Sequence, residues 1–145
     1  YGPGDRRLLK LFRGIARERF VVLGSGDIFY HLTYIDDLIE GVIRLMKSDE
    51  TRPVNIGNPV EYSVREIAEM IVELCGSRSE ISHEPLPEDD PRQRRPDITR
   101  ARESLGWEPQ TSAREGLQRT LSWFASLPRG RAHLEAPPAS LSEGS

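Results

Sequence analysis

The chain has 145 residues, 37% of them hydrophobic and 30% charged, with a formal net charge of −3 at pH 7. That is a soluble, globular composition with enough apolar material for one ordinary core, so a single domain or part of one is expected. The slightly acidic balance excludes a global attraction to nucleic acid or to an anionic membrane, and any anion site must be built locally from clustered arginines. The apolar runs fall far below the roughly 18 residues that span a bilayer, and no signal-peptide pattern opens the chain. A cytoplasmic protein with neither a nucleic-acid nor a membrane partner is the expectation. One cysteine, Cys75, cannot form an internal disulfide; it fits a reducing compartment and reads as an apolar helix-face residue.

Tyr1-Gly2-Pro3-Gly4-Asp5 is turn chemistry without an initiator methionine, which reads as a segment of something longer. Asp5 is a good N-cap, and Leu8, Leu9, Leu11, Phe12, Ile15 and Ala16 recur at helical spacing, so the pattern predicts a helix over 6–18. Phe20–Leu23 reads as a short strand, Gly24-Ser25-Gly26-Asp27 as a tight turn, and Ile28–Thr33 as a second extended segment. The helix expected over Ile35–Lys47 carries apolar residues at Ile35, Leu38, Ile39, Val42, Ile43, Leu45 and Met46, more than one narrow stripe, and needs burial on a wide face. Pro53–Gly57 is expected to be a brief strand that Asn58-Pro59 turns away.

Ser63-Val64-Arg65-Glu66 has the capping-box form, and the helix after it should run to about Cys75, ended by Gly76. Glu80–His83 can be extended, after which Pro85, Pro87, Pro91 and Pro96 forbid regular ladders. Asp97 can cap a short helix through Leu105, with Gly106 ending it and Trp107 as a large apolar anchor. Ser112 and Glu115 make a second capping box for a helix to about Leu127. Residues 128–145 are mostly Pro, Gly, Ala, Ser and charge, the composition of a disordered tail.

Much chemistry is missing. His31, His83 and His133 stand apart, without neighbouring ligands at zinc spacing, and no metal is expected. There is no G-x-S-x-G elbow, no G-x-G-x-x-G and no Walker sequence. Asp36 and Asp37 are paired carboxylates, but at the start of a helix they complement the positive end of its macrodipole. The strongest candidate is the stretch DDPRQRRPD at 89–97. Arg92, Arg94 and Arg95 sit on a proline-stiffened loop ahead of the Asp97 helix, and guanidinium forks match phosphate oxygens two at a time. The alternative is a solvated loop whose arginines are screened by Glu88, Asp89 and Asp90.

Taken as a set, YGPGD at 1–5, TYIDDLIEG at 33–41, NIGNP at 55–59, DDPRQRRPDITRA at 89–101 and LGWEP at 105–109 resemble the C-terminal half of extended short-chain dehydrogenases that act on nucleotide sugars. Among these the likeness is nearest to UDP-glucuronate decarboxylases, and it covers about residues 1–127. The resemblance implies an α/β fold: a substrate-binding domain joined to the last helix and strand elements of a Rossmann-type dinucleotide domain. It implies NAD, held mainly outside these residues, a UDP-sugar as substrate, and a homodimer. The family's reaction oxidises the sugar C4 hydroxyl to a ketone and, in epimerases and decarboxylases, returns the same hydride.

By resemblance, Arg94 matches the arginine that holds the diphosphate, with Arg92 beside it, and Val22, Leu23 and Gly24 border the nucleobase. Tyr30 stands where the family usually carries a further phosphate-binding arginine, and it offers less charge and no bidentate fork. The Tyr-x-x-x-Lys pair is absent, since Asp5 rather than a lysine follows Tyr1 by four residues. No catalytic residue is therefore assigned in this chain. A related UDP-sugar 4-epimerase, or a non-catalytic binding module that kept the fold, are the alternatives.

Overall fold

A computed structural model describes residues 1–16, 21–23, 26, 28–78, 82–84 and 95–127. The element order is α1 (Arg6–Ala16), β1 (Val21–Leu23), β2 (Phe29–His31), α2 (Ile35–Met46), β3 (Glu61–Ser63), α3 (Val64–Cys75), β4 (Ser82–Glu84), α4 (Thr99–Leu105) and α5 (Ala113–Ser126). β1 and β4 pair in parallel, and β2 and β3 pair antiparallel with Tyr30 opposite Tyr62 and His31 opposite Glu61. The chain is thus a partial α/β unit.

Local chemistry sets most of the helix ends. The Asp5 carboxylate accepts from the Arg7 and Leu8 amides and starts α1. Ser63 and Glu66 form the reciprocal box at α3, with the serine oxygen taking the Glu66 amide at 3.1 Å and the glutamate taking the Ser63 amide at 2.7 Å. Gly76 and Gly106 end α3 and α4 in the left-handed region, each with φ near 58°, where a glycine has no Cβ penalty. At α5 the Ser112 oxygen accepts from Glu115, which is half of the expected box. Asp97 acts one residue early: its carboxylate accepts from the amide and hydroxyl of Thr99, while Ile98 occupies the cap position of α4.

Two cores result. Leu8, Phe12 and Ile15 of α1 pack with Ile67 and Ile71 of α3 and Leu117 of α5. The second core joins Ile98, Ala101 and Trp107 to Val54, Ile56 and Leu105. Trp107 is 1% exposed, and its indole N–H donates to the Asp37 carbonyl at 3.0 Å, so the buried ring leaves no polar atom unpaired. α2 meets this core through Gly41, where an added Cβ would stand 2.6 Å from Ile56 and 3.0 Å from Trp107.

One expectation is corrected. Residues 53–57 form no strand: Pro53 and Pro59 bound the segment, it meets no strand partner among the described residues, and Val54 and Ile56 spend their apolar surface on the Trp107 core. β4 lies at Ser82–Glu84, and residues 80 and 81 of the strand expected over 80–83 lie outside the described residues. The broad apolar face of α2 is present and largely open, with Leu38, Ile39, Val42, Ile43 and Met46 all exposed. The expected tail after Leu127 and the turn residues Gly24, Ser25 and Asp27 lie outside the described residues.

Gly41→Ala is expected to destabilise the fold by about 1–3 kcal/mol in chemical denaturation, because the methyl must displace Ile56 and the Trp107 ring. A second expectation concerns acid. Hydrogen bonds from the Ser63 amide and hydroxyl hold the Glu66 carboxyl below its ordinary 4.5. Because the folded value is the lower one, this stabilisation is present above the ordinary value and is lost as pH falls through the folded value. Glu66→Gln should therefore lose less stability than the parent chain between about pH 5 and pH 3 in a denaturation series.

Candidate functional site

The segment Asn55-Ile56-Gly57-Asn58-Pro59 acts as a clip. Asn58 is 5% exposed; its amide donates to the Thr33 hydroxyl at 2.8 Å and its side-chain nitrogen donates to the Leu32 carbonyl at 3.0 Å. These bonds fix the chain just after β2. On the other side, the Asn55 side chain donates to the Asp97 carbonyl at 3.0 Å, at the entrance to α4. Gly57 lies between, and an added Cβ there would meet Pro96 at 3.1 Å and the Thr33 hydroxyl oxygen at 3.8 Å. The motif thus ties the end of β2 to the end of the arginine loop.

A cavity of about 520 Å³ opens beside the clip, lined by residues of α1, β2, α2 and α3 together with Thr33 and Ile56. Its walls are mostly apolar, from Leu8, Leu11, Leu32, Leu38, Val64 and Ile67, and its polar members are Tyr1, Asp5, Arg7, Tyr30, His31 and Thr33. Asp5 and Arg7 neutralise each other across 3.2 Å. Tyr1 is used structurally: its hydroxyl donates to the Ala113 carbonyl at 3.1 Å and its ring meets Tyr34 edge-on at 5.5 Å. Burial, with Tyr34 and Tyr62 nearby, pushes its phenol well above the ordinary range, so it stays a neutral donor.

The site residues expected from sequence divide by what the structure describes. Tyr30 lies on β2, is 49% exposed and lines the cavity. Val22 and Leu23 lie on β1, paired in parallel with His83 and Glu84. Gly24, Arg92 and Arg94 lie outside the described residues. Parallel pairing leaves the carboxyl ends of β1 and β4, Leu23 and Glu84, side by side. Arg95, at the far end of that loop, is exposed and lines a polar depression of about 400 Å³ with Pro59, Pro96, Asp97 and Arg102.

Asp37 is a residue whose role sequence reasoning missed. It stands in the first turn of α2, as the dipole reading requires, but it is only 5% exposed. Its two carboxylate oxygens accept from the amide and hydroxyl of Thr111 at 3.0 and 3.2 Å. Together with the Trp107 indole on its carbonyl, this pins α2 to the chain between α4 and α5. Among the described residues no group of three or more His, Cys, Asp or Glu could hold a metal ion, and no helix is long and apolar enough to cross a membrane.

The partial α/β unit, with its apolar, polar-rimmed cleft beside a buried asparagine clip, is a portion of an extended short-chain dehydrogenase fold. Residues 9–120 match the family described as GDP-mannose 4,6 dehydratase, and the chain belongs to that family. It is 41% identical over 123 residues to UDP-glucuronic acid decarboxylase 1 of Danio rerio, covering 83% of this chain and 29% of that protein. The structure of UDP-glucose 4-epimerase from Thermotoga maritima with UDP-glucose superposes with a TM-score of 0.78 at 27% identity, over 86% of this chain and 43% of that one. UDP-glucuronic acid 4-epimerase from Bacillus cereus, in complex with UDP-glucuronic acid and NAD, shares the fold with a TM-score of 0.73 at 24% identity, over 85% of this chain and 41% of that one. The chain spans roughly a third of the length of the curated relatives it matches, from 28% to 36%.

Asp37→Ala is expected to destabilise the fold by about 1.5–3 kcal/mol, the range for hydrogen bonds to a charged acceptor, because the buried Thr111 amide and hydroxyl lose their partner. Urea titration followed by Trp fluorescence checks it. A loss under about 0.5 kcal/mol, as at a surface site, would show that the joint carries little.

Proposed function

We propose that this chain is the sugar-nucleotide-binding part of an NAD-dependent enzyme, most like a UDP-glucuronate decarboxylase. The observation that carries the reading is the 41% identity to UDP-glucuronic acid decarboxylase 1 over 123 residues. The clip supports it, because it holds the end of the arginine loop against the wall of the cavity. In this reading Arg94, with Arg92 beside it, grips the diphosphate, and Val22, Leu23 and Gly24 border the uracil. Tyr30 gives a single hydroxyl where the family's pattern has a guanidinium.

NAD is assigned to a dinucleotide-binding domain outside these residues, since this chain contains no G-x-G-x-x-G and no Tyr-x-x-x-Lys. When bound, it would take a hydride from the sugar C4 and return it. The open apolar face of α2 is suited to pack against that domain, as its width requires. The protein is further proposed to be a cytoplasmic homodimer. A UDP-sugar 4-epimerase is the second reading; the 0.78 TM-score with UDP-glucose 4-epimerase favours it.

In the protein that carries the dinucleotide domain, Arg94→Ala should weaken UDP-glucuronic acid binding by about 1.5–3 kcal/mol in calorimetric titration. Unchanged affinity would remove the diphosphate role. Parallel product analysis separates the two readings: release of carbon dioxide marks the decarboxylase, and inversion at C4 with the carboxylate retained marks the epimerase.

A further inference from the structure

Asp5 and Arg7 are the carboxylate and the guanidinium among the described residues that line the 520 Å³ cavity. They differ sharply in exposure: 12% of the Asp5 side chain is open, against 89% of the Arg7 side chain. Asp5 is spent on the chain itself, since its Oδ1 accepts from the Arg7 and Leu8 amides at the start of α1. It also takes one edge of the Arg7 fork, through Nε at 3.4 Å and Nη2 at 3.2 Å. That grip orients the guanidinium and leaves its other edge, Nη1 with the second hydrogen of Nη2, without a partner among the described residues.

Helix stability does not explain a cation here. The first turn of α1 opens with Arg6 and Arg7 and contains no acidic residue, Lys10 follows one turn on, and all three are exposed. Positive charge at an amino-terminal turn opposes the macrodipole. The Arg7 and Leu8 amides are already held by Asp5, so the open donor is the side chain and not the helix end. Of the cavity's other polar groups, the Tyr1 hydroxyl donates to the Ala113 carbonyl and the Thr33 hydroxyl accepts from the Asn58 amide. The Arg7 fork and the half-exposed Tyr30 hydroxyl are the accessible donors of an otherwise apolar wall.

We infer that Arg7 is a ligand-binding residue whose open guanidinium edge takes an anionic oxygen group of the sugar nucleotide at this cavity, an inference that rests on the sugar-nucleotide reading given above. A phosphate of the diphosphate and the carboxylate of a hexuronic acid both present the paired oxygens that such a fork matches. Asp5 is then a positioning residue, because it fixes the guanidinium that the ligand meets.

The test titrates the protein that carries the dinucleotide domain with UDP, UDP-glucose and UDP-glucuronic acid in parallel. Arg7→Gln should weaken binding about tenfold, the loss of one charge-assisted hydrogen bond at an exposed site, and by less as ionic strength rises. Arg7→Lys, which keeps the charge, should recover part of the loss. Equal weakening of all three ligands marks a phosphate as the bound group; weakening of UDP-glucuronic acid alone marks the sugar carboxylate. Any other pattern, unchanged affinity for all three included, overturns the assignment, as does a loss that Arg7→Lys leaves undiminished. The urea midpoint should stay at the parent's value, as the exposure of the side chain requires; a midpoint lowered together with all three affinities gives Arg7 to the folding of α1 and overturns the proposal. A parent protein that binds none of the three overturns the sugar-nucleotide reading itself, and the Arg7 inference with it.

Discussion

The buried Asn58 is the constraint on which the arrangement of this site depends. One amide and one side-chain nitrogen of a single residue hold the two carbonyl- and hydroxyl-bearing residues that follow β2, while Asn55, three positions earlier, holds the carbonyl that precedes α4. Residues 32–33 and 97 are far apart in the chain and lie on opposite sides of the same five-residue clip. At Gly57 an added Cβ would press on Pro96 at 3.1 Å, with the Thr33 hydroxyl oxygen at an ordinary contact distance. A side chain there would push the loop's end away from the cavity wall.

The two cores explain why the site sits where it does. The first, built from α1, α3 and α5, supplies the apolar floor of the cavity through Leu8 and Ile67. The second, around Trp107, fixes α2 and α4 through Gly41, Ile98 and Ala101. The clip passes between them, sending Ile56 into the second core while Asn58 bonds toward the first. α2 is held on one face by Trp107 and Asp37 and leaves Leu38, Ile39, Val42, Ile43 and Met46 open on others.

Features decided within three or four residues were legible in the sequence. The Asp5 cap, the Ser63–Glu66 box and the glycines ending α3 and α4 each satisfy helix-end groups with local partners, and each stands where the pattern puts it. Features decided by distant partners were not. Two adjacent aspartates at a helix start read as dipole chemistry, and nothing nearby reveals that Thr111, 74 positions away, occupies the second one. Val54 and Ile56 alternate like a strand, yet their partner is an indole rather than a ladder. His31 looked like a scattered histidine because its neighbour Glu61 is brought opposite it by strand register rather than by spacing. Arg92, Arg94 and Gly24 rest on resemblance, and only their neighbours Arg95 and Leu23 are placed by the structure.

Native-state hydrogen exchange at the Asn58 and Arg102 amides tests the clip most directly. The first is bonded to the Thr33 hydroxyl and the second to the Ile98 carbonyl in α4. If the clip joins β2 and α4 into one cooperative unit, both amides open with a single common free energy across denaturant concentrations. Exchange of Arg102 through a separate, lower-energy opening while Asn58 stays protected would contradict the account, because α4 would then open independently of the chain that follows β2.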